Sequence, residues 1–111
     1  MEDLPADARA YVCRLLEAYR TTPGTAGVVR RPDRSLAAQL HQRGVALEAV
    51  ENAFVLAAVR RTIRPNGAPP LGTIRSLAYF LPVIEEVLTS SIRPDYFRYL
   101  RQKLERLPET R

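Results

Sequence analysis

At 111 residues, 46% of them hydrophobic, the chain has room for one domain with one core and is too apolar to stay disordered. One cysteine (Cys13) and one histidine (His41) exclude an internal disulfide and a His/Cys metal cluster. Net charge is +5 with a pI near 10. No apolar run reaches signal-peptide or membrane-span length. A cytoplasmic chain with no membrane partner and no cofactor is the expectation.

The positive charge is unevenly spread. Of the 17 basic residues only Lys103 is a lysine. Residues 30–75 carry eight arginines against Asp33, Glu48 and Glu51, and residues 93–111 carry six basic groups against three acids. Clustered cations suit a polyanion, since each phosphate contact releases counterions. An arginine-rich coding composition would leave the same residues as plain solvated surface.

Residues 7–20 read as a first helix, with Tyr11, Val12, Leu15 and Tyr19 on its apolar face. The tyrosines are expected in the core rather than stacked on bases. Thr21 to Pro32 has no helical period. A short strand near Val28 and Val29 would leave Arg30 and Arg31 on an exposed arm. Asp33 suits the N-cap of a second, short helix, which Gly44 should end in a left-handed turn sealed by Val45. His41, near that end, fits the helix dipole; with no Ser or Cys partner at a known spacing, it is not read as catalytic.

A third helix is expected from Leu47 to Arg61, with Glu48 and Glu51 near its start and Arg60 and Arg61 near its end, the order the dipole prefers. Helix, glycine turn, helix is the order of a helix-turn-helix reader. Glu48 and Glu51, however, would repel phosphates from its reading face. After the Pro- and Gly-rich connector at 65–72, Thr73 or Ser76 can cap a fourth helix carrying Leu77, Phe80, Ile84 and Leu88. Pro82 falls inside it, and a kink is expected because the apolar stripe keeps its phase. A last helix starts at Pro94, its apolar face Phe97, Leu100, Leu104 and Leu107, with Pro108 ending it. Tyr96, Tyr99, Arg98, Arg101 and Lys103 decorate the rest, a mixture suited to single-stranded nucleic acid.

Two stretches, LHQRGVALEAVENAFVLAA and IRSLAYFLPVIEEVL, carry a resemblance over residues 36–90. Glu48, Val50, Ala53 and Ala57, and then Ser76, Leu77 and Tyr79, fall at the spacing of the DnaD-like domain of bacterial and phage replication proteins. Two positions depart from that pattern: Val87 stands where the family has its final aromatic, and Pro82 interrupts its regular helix. The resemblance implies a helical domain that binds DNA and self-associates within a replication assembly.

The expectation is an all-α, compact bundle of about five helices containing a helix-turn-helix-like pair. Its partner would be a nucleic acid, DNA ahead of RNA, and it would have no catalytic role. Arg30, Arg31, Arg60, Arg61, Arg64 and Arg75 form the expected footprint, with Arg98, Arg101 and Lys103 as a second patch. The alternative is a helical module for self-association or protein docking, using Val55, Leu56, Val59 and Ile63 if these are exposed.

Overall fold

The computed structural model describes residues 4–63, 67–90 and 93–106. These fold into helices α1 (Ala6–Thr21), α2 (Arg31–Gln42), α3 (Leu47–Thr62), α4 (Leu81–Thr89) and α5 (Pro94–Arg106), with a short 3-10 helix, Leu77–Phe80, leading into α4. The all-helical expectation holds, and the helical periods place α1, α3 and α5 to within a residue or two. Leu107, Pro108 and the start of the connector, Pro65 and Asn66, lie outside the described residues.

The α3 helix is the hub. It packs against α1, α4, α5 and the 3-10 helix. Ala53, Phe54, Leu56, Ala57, Ala58 and Val59 are all buried, so apolar residues face its neighbours on most sides. Its exposed residues are few, Glu48 near the start and Arg60 and Thr62 near the end. The main core gathers around Tyr19, Phe54 and Phe80, whose ring centroids lie 4.8 to 6.4 Å apart in tilted or edge-on pairs. Such pairs add roughly 0.5–1.5 kcal/mol each beyond the area they bury. A second, smaller cluster of Leu56, Val59, Phe97 and Leu100 attaches α5 to α3. Leu56 and Val59 are therefore inside rather than on a docking patch, Val55 is half-buried, and of that group only Ile63 is well exposed.

The turn between α2 and α3 forms as its residues dictate. Gly44 adopts φ 77°, its amide bonds to His41 O, and the Val45 amide reaches back to Leu40 O at 3.1 Å. That pair of bonds is the Schellman stop, and Val45 is buried beneath it. Tyr11 Oη ties α1 to the same turn by donating to Val45 O at 2.8 Å.

Three local expectations are corrected. The strand near Val28 is absent; the loop instead makes a single parallel bridge from Thr25 to Ile74. The Ile74 amide donates to Gly24 O at 2.8 Å, and the Ala26 amide to Ile74 O at 2.9 Å. Arg30 and Arg31 do not ride on an arm, because α2 starts at Arg31 with Arg30 as its N-cap. Asp33 consequently sits in the first turn of α2 rather than before it. Finally, Pro82 does not kink a long helix. A 3-10 turn capped by the Ser76 side chain, which accepts from the Ala78 amide, ends at Phe80. The new helix α4 begins at Leu81, and Pro82 falls in its first turn, where a missing amide costs nothing.

Candidate nucleic-acid interface

The site is built on Asp33. It is the single buried charged residue among those described, 2% exposed. One carboxylate oxygen accepts from the Arg30 amide at 2.9 Å, closing the first turn of α2. The other accepts from the Leu77 amide, 44 residues away, also at 2.9 Å. The Asp33 amide in turn donates to Arg30 O. One side chain thus fastens the start of α2 to the start of the 3-10 helix. Behind this junction lies the Tyr19 phenol, wholly buried and without a hydrogen-bond partner among the described residues. Burial, and then the Asp33 carboxylate, push its pKa up, while the Arg30 guanidinium pulls it down.

Arginines surround this clamp. Arg30 is the N-cap of α2, Arg31 its first residue, and Arg34 follows Asp33 in the first turn. Arg75 directly precedes the Ser76 cap, two residues from the amide that Asp33 holds, which keeps it within about 7 Å of that junction along the backbone. All four are exposed, and none forms an ion pair among the described residues. Each oxygen of Asp33 accepts a backbone amide, and none of these four side chains hydrogen-bonds to it among the described residues. For Arg30, Arg31 and Arg34, at the positive end of the α2 dipole, the position is unfavourable by roughly 0.3–1 kcal/mol each. An anion placed among them would reverse that sign.

The other predicted cations have different fates. Arg60 makes a two-pronged pair with Glu86, at 2.8 and 2.6 Å, joining α3 to α4. Those hydrogen bonds hold the Glu86 carboxyl below its ordinary range. Arg61 turns inward as a strap. Its guanidinium donates to Gly72 O at 2.7 Å and to Tyr79 Oη at 3.2 Å, and lies 5.8 Å from the centre of the Tyr79 ring. Gly24 makes room for it, since a Cβ there would come within 2.9 Å of Arg61 Nε. Both residues thus have hydrogen-bonded partners within the fold. Arg64 lies outside the described residues. On α5, Arg98 lies 3.5 Å from Asp95, and Arg101 donates to Asn52 Oδ1 at 3.4 Å. Lys103 has no partner among the described residues.

The two predicted patches meet only where Arg60 and Lys103 line one groove between α3 and α5. The α2 helix rests on α1 and the 3-10 helix, and α5 rests on α3. Arg34 was not singled out from the sequence, although its position three residues after Arg31 puts both on one face of α2. Along α5, Tyr96 and Tyr99 are 47% and 55% exposed and line a groove against α3 with Ile63 and Lys103.

No group of three or more His, Cys, Asp and Glu side chains that could hold a metal occurs among the described residues. Among the described residues His41 meets the Tyr11 ring edge-on and lies 4.0 Å from the Asp7 carboxylate. No described helix is long and apolar enough to cross a membrane. No known protein family, curated protein or solved structure matches this chain.

Proposed function

We propose that this domain is a non-catalytic nucleic-acid-binding module whose phosphate contacts come from Arg30, Arg31, Arg34 and Arg75. The observation that carries the reading is their common placement: exposed, without carboxylate partners, and gathered at two adjoining helix starts. Arg43 and Arg60, by contrast, are matched to Glu85 and Glu86 across the fold. A surface that pairs Arg14, Arg20, Arg43 and Arg60 with carboxylates while leaving this group without one among the described residues suits an external anion. A repeating phosphate chain satisfies several such cations at once. DNA ahead of RNA, and a setting in bacterial or phage replication, rest on the resemblance over residues 36–90.

The test is binding of a labelled DNA oligonucleotide followed by fluorescence anisotropy through a salt series. Four phosphate contacts predict an affinity loss of about 50- to 150-fold between 50 and 200 mM salt. Absence of binding at low salt, or a flat salt response, overturns the reading.

A further inference from the structure

We infer that the groove between α3 and α5 seats unpaired bases, which makes the ligand single-stranded; this rests on the nucleic-acid reading above. Tyr96, Tyr99, Lys103 and Arg106 recur along α5 at intervals of three, four and three residues, so they form one stripe. It runs beside the buried stripe of Phe97 and Leu100 that docks the helix. Two aromatic rings are followed by two cations in the same direction along the helix. The Tyr96 and Tyr99 ring centroids are 6.3 Å apart and mutually tilted by 31°, a spacing that successive nucleotides of an extended strand can follow. Opposite them, Val59 of α3 and the 60%-exposed Ile63 that caps its end form an apolar wall. Arg60 also lines the groove, held there by Glu86.

The chemistry of that lining selects the occupant. Exposed rings beside an apolar wall offer stacking faces, and an unpaired base offers a stacking face in return; a duplex presents only phosphates and base edges. Among the described residues that line the groove there is no carboxylate, Glu86 reaching it only as the partner of Arg60. Lys103 and Arg106 continue the stripe where the phosphates of a stacked strand would run. A second copy docked through this stripe would bring Lys103 and Arg106 of both copies, all of one sign, into a single interface.

The experiment compares a labelled oligothymidine with a hairpin duplex by anisotropy, using the whole chain and the variants Y96A/Y99A and Y96F/Y99F. Circular dichroism and light scattering accompany each. The inference expects tighter binding of the single strand. It also expects Y96A/Y99A to lose roughly 30-fold or more of single-strand affinity while duplex affinity stays within about threefold, because stacking on each ring contributes several-fold or more. Y96F/Y99F, which keeps the rings, should bind like the native chain. Native-like single-strand affinity in Y96A/Y99A overturns the inference while leaving the arginine reading standing. So does a duplex preference in the native chain, or a dimer that Y96A/Y99A abolishes. A native chain that binds neither probe at low salt overturns the arginine reading, and this inference with it.

Discussion

Replacing Asp33 with alanine tests the clamp that shapes the candidate site. The substitution removes both acceptors, leaving the Leu77 amide buried without a partner and the Arg30 amide at the start of α2. A stranded buried amide costs about 1–3 kcal/mol, whereas the Arg30 amide can turn to water and should lose about 1 kcal/mol. Sparing the burial of a charge offsets a little of this. The expected cost is roughly 2–4 kcal/mol, a large part of a typical domain's 5–15 kcal/mol. At about 4 °C per kcal/mol for a chain of this length, the midpoint should fall by about 8–16 °C. Asp33→Asn keeps one oxygen but turns an amide group toward the other donor, so it should lose about half as much. Ser76→Ala, which removes only an exposed cap bond to the Ala78 amide, should cost under about 1 kcal/mol. Urea unfolding followed by circular dichroism gives these energies, and hydrogen exchange at the Leu77 amide reports the clamp directly. The reasoning fails if Asp33→Ala lies within 1 kcal/mol of the native chain, or if Ser76→Ala costs as much.

Other substitutions probe further features. Tyr19→Phe removes a buried hydroxyl that has no partner among the described residues and keeps the ring against Phe54 and Phe80, so stability should rise by about 1 kcal/mol in urea unfolding. A loss of stability would reveal a bond the phenol does make. Glu86→Gln should cost stability at neutral pH. The folded-state pKa of Glu86 lies below its ordinary value of 4.5, so its contribution is present above that value and fades as pH falls through the lowered one. Melting of the two proteins should therefore converge in acid, and a gap that persists at pH 2 would contradict the pairing. Arg61→Met should destabilise the fold by about 1–2 kcal/mol through loss of the bonds to Gly72 and Tyr79, yet leave the salt dependence of binding unchanged. A shallower salt slope in that variant would return Arg61 to the interface.

Much of this architecture is legible from local chemistry. The apolar faces of α1, α3 and α5 repeat at helical spacing. The stop at Gly44 needs only a residue free to take φ 77° and an apolar neighbour to seal it. What escapes the sequence is long-range. Asp33 looks like an N-cap because the local rule cannot see an amide 44 residues away that competes for its carboxylate. Pro82 looks like a kink because the stripe from Leu77 to Leu88 keeps its phase, while the 3-10 geometry of the first turn is set by packing and by the Ser76 cap. The candidate site divides in the same way. Counting arginines finds the surplus, but Arg60 is committed by a glutamate 26 residues on and Arg61 by a carbonyl in the connector. Subtracting those pairs brings Arg34 into view beside Arg30, Arg31 and Arg75.

The central claim is that these four arginines hold phosphates. The direct measurement is the slope of log affinity against log salt for the native chain and for R30Q/R31Q/R34Q/R75Q, with circular dichroism confirming that both are folded. Each lost contact should flatten the slope by about 0.7 to 0.9, so the variant should be shallower by roughly three units and bind far more weakly at 50 mM salt. A folded variant that keeps the native slope and affinity would contradict the account.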